Sequence, residues 1–358
     1  MIELFIYAGI TALAIQGVLS IPIAWGWLKY SKPKPKITPP FTIIICAHNE
    51  EKKLSTCLAS ISKINYSDWQ VIIVNDRSTD NTENIIHEWK AQIKGLRIIS
   101  ILETPEGWPP KKYALTQGIK NCTTEWMAFT DADCIVPSDW LESLAAEIRP
   151  QKTQLILGNS PYLIRSGFLN KLIQYETQVT AWMFLGLGSA GLPYMGVGRN
   201  IAYTKSLFNA ANGFTQHLKS LSGDDDLLVN QIAKGSETEI MPYPWVYSYP
   251  QETWKKWFRQ KQRHFSAGNW YRPSWKIYLS LWAIAELIGW IGGIIALFQG
   301  IWWPLPIALT IKGIFLLFVP SPHKPLHLFV FLPITDFLLM LFRWGATLAG
   351  FMFEKKWN

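Results

Sequence analysis

The sequence predicts an α/β fold, a mostly parallel sheet with helices on both faces, carried by one N-terminal and about three C-terminal transmembrane helices. Three observations predict it. Short β-branched runs alternate with helical patterns between Thr42 and Thr130, the signature of a parallel sheet covered by helices. Long apolar segments stand at both ends of the chain. Only 17% of the 358 residues are charged while 19 are Trp, and amphipathic Trp favours membrane–water interfaces.

The N-terminal segment Leu4–Leu28 carries no charge and exceeds the ~20 residues that cross a bilayer. It lacks the basic start and short apolar core of a signal peptide, since Glu3 precedes it; a retained anchor is expected. Lys29, Lys32, Lys34 and Lys36 follow at once in a Pro-rich linker, which by the positive-inside rule places the linker and the next domain in the cytoplasm. Apolar segments recur at Ile277–Phe298, Ile301–Val319 and Leu326–Phe353, interrupted by Glu286, Lys312, Asp336 and Arg343. Such charges pair with one another, snorkel or line a path. Three C-terminal spans would leave Lys355 and Lys356 outside, so one segment is expected to be re-entrant or interfacial.

Between the apolar ends, Thr42–Cys46, Gln70–Val74, Leu96–Ser100 and Trp126–Thr130 read as strands, with helices expected at Asn49–Ile64, from Asp80 to Lys90, and at Lys112–Lys120. Ligands bind at the carboxyl ends of strands in such sheets. The polar clusters fall there: His48-Asn49-Glu50, Asn75-Asp76-Arg77 and Asp131-Ala132-Asp133. Neither a dinucleotide glycine fingerprint nor a P-loop occurs. The net charge of +8 resides largely beside the apolar segments, in Lys29–Lys36 and Lys255–Arg263, which points to anionic lipid headgroups rather than nucleic acid. Cys46, Cys57, Cys122 and Cys134 show no C-x-x-C spacing, so neither a zinc site nor a disulfide framework is expected.

The chemistry follows from the polar residues. Two carboxylates spaced as in Asp131-Ala132-Asp133 can hold Mg²⁺ or Mn²⁺ against a diphosphate, because these ions prefer hard oxygen ligands. Asp76 stands where a base or ribose could be read. Lys111, at a helix start, suits a phosphate, whereas Lys112 reads as a solvated surface lysine. Asp224-Asp225-Asp226 places like charges side by side, which raises at least one pKa and suits one of them to act as general base. Gln260 and Arg263 share a face at i, i+3 in an amphipathic, Trp-rich stretch, Trp254–Trp275, that reads as an interfacial helix. Leu163–Leu187 is apolar but too polar to span.

In order and spacing, Thr42–Glu50, Asn75–Asp80, Asp131–Asp133, Gly223-Asp224-Asp225 and Gln260-x-x-Arg263-His264 resemble the motifs of membrane-bound glycosyltransferase family 2. Gly196–Tyr203 and Asn212-Gly213-Phe214 resemble its segment before the base. The similarity is greatest to the ceramide glucosyltransferase-like, lipid- or carotenoid-glycosylating branch. The resemblance implies a GT-A fold, a nucleotide-diphospho-sugar donor (most commonly a UDP-sugar) and an Mg²⁺ or Mn²⁺ cofactor. It implies that Asn49, Glu50, Asp76, Lys111 and Asp131 bind the donor, that Asp133 with Asp131 holds the metal, and that Asp225, beside Asp224, is the catalytic base. Gln260, Arg263 and His264 would close over the diphosphate. Two positions depart from the pattern: Asp224 replaces Glu, and His264 replaces a Trp that packs at the acceptor entrance, which weakens the case for processive synthesis.

The expected organisation is an anchor at 1–30, a linker at 31–40, a cytoplasmic GT-A catalytic domain at 41–250, an interfacial segment at 251–275 and transmembrane helices at 276–358. The expected activity is inverting transfer of a sugar to a lipid or membrane-associated acceptor at a bacterial inner membrane. A processive polysaccharide synthase and a non-catalytic membrane receptor for nucleotides or lipids are the alternatives.

Overall fold

The computed structural model describes residues 2–32, 37–320 and 325–352. The expected basic positions Lys34, Lys36, Lys355 and Lys356 lie outside them. In chain order the elements are α1 (Ile2–Lys29), β1 (Phe41–Ala47), α2 (Leu54–Ile61), β2 (Trp69–Asp76), α3 (Thr82–Lys90), β3 (Leu96–Ile101), α4 (Pro110–Lys120), β4 (Trp126–Phe129), β5 (Cys134–Ile135), α5 (Trp140–Glu147), β6 (Leu155–Gly158), α6 (Phe168–Ser189), β7 (Ile201–Thr204), α7 (Lys205–Ala210), α8 (Asp226–Ile232), β8 (Thr238–Met241), β9 (Tyr247–Ser248), α9 (Trp254–Ala267), α10 (Pro273–Phe298), α11 (Pro304–Leu316) and α12 (Pro325–Met352). They form two compact units: an α/β unit, Tyr30–Leu163 with Gly191–Pro250, and a helical unit made of the chain through Lys29, Ile164–Ala190 and the chain from Gln251 onward.

The α/β unit is built on a seven-stranded sheet of order β3-β2-β1-β4-β7-β6-β8. β3, β2, β1 and β4 are parallel; β7 is antiparallel to both β4 and β6, and β6 is parallel to β8. The β-branched runs read as strands buried on both faces, and Ile43, Ile44, Ile45, Val71, Ile72, Ile73 and Val74 are fully buried. The parallel register brings the carboxyl ends of β1, β2 and β4 to one edge. Because β7 runs the other way, with Phe129 opposite Ile201, the residues preceding β7 reach that same edge. α4 packs against β1 and β2 closely enough that a Cβ at Gly118 would stand 2.8 Å from Ile44 Cγ2; only glycine permits the approach. Pro110 starts this helix, its missing N–H costing nothing at the first turn, and Lys111 follows at the sheet edge. The helix after β1 begins later than the sequence pattern suggests. Asn49 adopts φ +56°, and its side-chain carbonyl accepts the Thr79 N–H at 2.8 Å, so His48–Lys53 serve as loop.

Among the described residues of the helical unit, three helices are long and apolar enough to cross a membrane: Ile2–Lys29, Pro273–Phe298 and Phe331–Gly350. The second expected C-terminal segment, Ile301–Val319, yields the 13-residue α11, about 20 Å at 1.5 Å per residue and short of a ~30 Å hydrocarbon core. A left-handed turn at Gly300 (φ +78°) and a helix start at Pro304 take its first residues out of the helix. α1 and α10 meet backbone to backbone: a Cβ on Gly9 would lie 2.6 Å from Gly292 Cα, the close approach that small residues allow between membrane helices. Three of the four charges inside the apolar segments, Glu286, Lys312 and Asp336, pair with one another. Lys312 bonds Glu286 at 2.8 Å and also Asp336, and Asp336 accepts from Tyr175 Oη (2.6 Å) and Trp290 Nε1 (3.1 Å).

Candidate active site

The expected polar clusters converge at the carboxyl edge of the sheet. β4 delivers Asp131 and Asp133, and the Asp131, Asp133 and Cys134 side-chain donor atoms all lie within 4.8 Å of one another. Lys111 Nζ bridges two acidic centres, 3.0 Å from Asp131 Oδ1 and 2.9 Å from Asp224 Oδ2. Residues 93 positions apart in sequence are thereby joined through one ammonium. Lys53 Nζ lies 3.3 Å from Asp133 Oδ2. Glu50 faces the same acids; burial first, then the Asp133 charge, push its carboxyl up to about 7.

Asp225 is the N-cap of α8. Its Oδ1 accepts the Asp226 N–H at 2.7 Å and its Oδ2 accepts the Gly198 N–H at 2.8 Å. A Cβ at Gly198 would stand 3.3 Å from both Cβ and Oδ2 of Asp225, so glycine leaves the acid its place. The two neighbouring carboxyls diverge in acidity. Burial and the negative charge of Asp224 raise Asp225 above the ordinary carboxyl range. For Asp224 burial pulls in the same direction, but the Lys111 ammonium outweighs it and holds the group below that range. Environments that drive paired carboxyls apart mark which can accept a proton.

Asp76 is buried at the end of β2 and is gripped by Arg77, whose Nε and Nη2 donate to its two oxygens at 2.7 and 3.2 Å. Asn49 spends its carbonyl oxygen on Thr79 and takes the Ser78 hydroxyl with its backbone N–H at 3.1 Å, so it ties the loop after β1 to the loop after β2. Gln260, Arg263 and His264 belong to α9 in the helical unit. On that helix the buried Trp257 stacks on Phe342 at 3.8 Å, and Lys261 pairs with Glu176 of α6 at 2.6 Å; Arg263 and His264 are exposed.

One expectation is overturned. Lys112 is not a solvated lysine: it is 1% exposed, and its ammonium donates to the carbonyls of His217 and Ser220, each at 2.8 Å. Consecutive residues in the first turn of α4 diverge, one toward the carboxylates and the other into the loop that leads to Asp224. Lys53 was not singled out by the sequence; Gly198 and Arg199 lie in Gly196–Tyr203, which resembles the family's segment before the base, but no site role was expected of either. The available signal was Gly196-x-Gly198 just before a strand, legible only once β7 is known to run against β4.

The donor set fits a hard divalent ion. Asp131 and Asp133 offer carboxylate oxygens, the ligands Mg²⁺ and Mn²⁺ prefer. The Cys134 thiol, beside them, is a soft donor, which Mg²⁺ and Mn²⁺ do not favour.

The glycosyl transferase family 2 model matches residues 42–201, and that of glycosyl transferase family group 2 matches residues 126–353. Among curated proteins, the probable glycosyltransferase YdaM of Bacillus subtilis (strain 168) is 25% identical over 254 residues, 68% of this chain and 58% of that protein. The 4,4'-diaponeurosporenoate glycosyltransferase of Staphylococcus aureus (strain USA300) is 33% identical over 129 residues, 36% of this chain and 33% of that one. The chain thus spans just over half of the first relative and a third of the second. Among solved structures, mannosyltransferase PcManGT from Pyrobaculum calidifontis, in complex with GDP-Man and Mn²⁺, aligns with a TM-score of 0.63 at 19% identity, covering 96% of this chain and 99% of that one; at that identity the likeness concerns the fold.

Proposed function

We propose that this chain, which belongs to glycosyl transferase family 2, moves a sugar with inversion from a nucleotide-diphospho-sugar to the hydroxyl of a membrane-presented lipid. The observation that carries the reading is the bridge of Lys111 between Asp131 and Asp224, beside an Asp225 whose raised pKa suits proton abstraction. Asp225 takes the acceptor hydroxyl proton. The oxygen then attacks the anomeric carbon from the face opposite the leaving group, the bond to the diphosphate breaks, and the nucleoside diphosphate departs.

Asp131 and Asp133 are the residues that would hold Mg²⁺ or Mn²⁺, which when bound supplies charge neutralisation to the leaving diphosphate. Asp76, buried at the end of β2, suits recognition of the nucleoside. Asn49 and Glu50 shape the donor side of the same edge, and Lys111 adds positive charge there. Gln260, Arg263 and His264 on α9 are assigned to the diphosphate from the order of the motifs. Guanidinium stabilisation of developing phosphate charge is among the larger catalytic effects.

A lipid acceptor is supported by the three helices of spanning length and by a relative named for a carotenoid acid. Lys29, which ends α1, and Lys32 just after it favour a cytoplasmic α/β unit at a bacterial inner membrane. A polymer channel is disfavoured by having two C-terminal helices of spanning length among the described residues. The test is Asp225→Asn in the full chain, incubated with UDP- and GDP-sugars, Mn²⁺ and membrane lipid extract, with products read by mass spectrometry. Expected is loss of transfer with donor binding retained and a single added sugar in the wild type. Undiminished turnover in the variant sinks the reading, and a ladder of products replaces it with processive synthesis.

A further inference from the structure

We propose that Arg199 is a donor-binding residue, which grips an anionic oxygen of the diphosphate with a guanidinium edge that the protein itself leaves unbonded. The inference rests on the transferase reading above.

The antiparallel pairing of β7 with β4 sets Arg199, two residues before Ile201, at the edge that carries Asp131. Its turn is rigid. The Gly198 N–H is spent on Asp225. Asn200 is fully buried: its Oδ1 accepts Trp140 Nε1 at 2.9 Å, its Nδ2 donates to the Asn159 carbonyl at 2.7 Å, and its backbone carbonyl accepts the Gly158 N–H at 2.9 Å. Between these fixed neighbours the Arg199 guanidinium lies over the Tyr162 ring, 4.3 Å from its centroid. Stacking on an aromatic face leaves the in-plane donors of a guanidinium free to meet an oxyanion.

The other cations at this edge are committed. Lys111 is held by Asp131 and Asp224, Lys53 by Asp133, Arg77 by Asp76 and Lys112 by two carbonyls. Arg199 has no carboxylate partner among the described residues, and its Nη1 is buried without a hydrogen bond. A buried charged donor with nothing to bond is costly, and guanidinium meets phosphate with charge-assisted, often bidentate bonds. Ile201 pairs with Phe129, so Arg199 stands at the strand end that leads into Asp131 and Asp133, the acids suited to the metal. Its place is therefore on the donor side of the site, not beside the acceptor hydroxyl.

The test compares nucleoside diphosphates with monophosphates, by calorimetry of UDP, UMP, GDP and GMP against the full chain in detergent with Mn²⁺. With wild type, one diphosphate binds. For Arg199→Gln its affinity is expected to fall about ten- to hundred-fold, the range for one charged hydrogen-bonding group, with the matching monophosphate little changed. Arg199→Lys, which keeps the charge and the stem, restores part of the loss and serves as the measured variant if Arg199→Gln does not fold. Diphosphate affinity within two-fold of wild type in a folded variant overturns the proposal. Equal losses for di- and monophosphate overturn it too, as does impaired transfer at unchanged diphosphate affinity, which moves the residue to the acceptor. Failure of wild type to bind either diphosphate instead sinks the transferase reading beneath it.

Discussion

Lys111 Nζ lies 2.9 Å from Asp224 Oδ2, and this contact sets the acidity of the neighbouring Asp225. It keeps Asp224 ionised, and the Asp224 charge, after burial, is what raises Asp225. A base must be unprotonated to act, so kcat/KM is expected to fall as pH drops through the Asp225 pKa. Asp224→Asn removes a raising charge and moves that acid limb to lower pH. Lys111→Met removes a charge that lowers both acids and moves it to higher pH. Profiles of kcat/KM against pH for the two variants check this; limbs shifted in the same direction would contradict it.

Lys112 fixes the approach to those acids from the other side. Lys112→Met strands two carbonyl acceptors, at about 1–3 kcal/mol for each buried polar group left unsatisfied. Thermal unfolding should come earlier and transfer should weaken, since residues 217–220 lose their tether and Asp224 follows them by four. Unchanged unfolding and unchanged kcat would show that the loop holds without it.

The parallel half of the sheet was legible because both-face burial leaves continuous β-branched runs, as in Ile43–Ile45 and Val71–Val74. The acidic residues were legible because carboxylates at parallel strand ends converge whatever their spacing in sequence. What escaped was set by long-range packing. β6 and β7 are four-residue strands whose antiparallel pairing joins segments distant in sequence, and that pairing is what delivers Arg199. Lys111 and Lys112 are indistinguishable by composition; a helix turn of about 100° per residue, with Gly118 anchoring that helix to the sheet, sends one to the carboxylates and the other inward.

Glu147 ties pH to stability away from the site. Burial pushes its carboxyl up to about 8, opposed by the bond it accepts from Tyr30 Oη at 3.0 Å. Unfolded, it loses its proton near pH 4.3. A folded pKa above the unfolded one gives stability that is complete below about pH 4 and is lost as pH rises to about 8, by roughly 1.4 kcal/mol per unit at most. Wild type should therefore unfold more readily at pH 8 than at pH 6. Glu147→Gln should flatten this dependence and exceed wild type in stability at pH 8. Parallel stability–pH curves for the two proteins would refute the assignment.

The pair of Lys261 with Glu176 governs the helix that carries Gln260, Arg263 and His264. Both residues are buried, 8% and 4% exposed, and their 2.6 Å contact joins α9 to α6. Breaking a buried pair from one side leaves an uncompensated charge, at a cost on the order of 3–5 kcal/mol, whereas removing both charges costs much less. Lys261→Met and Glu176→Gln alone should each lower the unfolding temperature sharply, and the double variant should recover most of the loss. Because Lys261 lies beside Gln260 and one helical turn's width from His264, the single variants should also weaken donor turnover through kcat more than through KM. The double variant, stable but without the tether, should keep that kcat defect. If stability and kcat both return in the double variant, the pair only balances charge; if kcat stays low while stability returns, the pair positions α9 for the reaction.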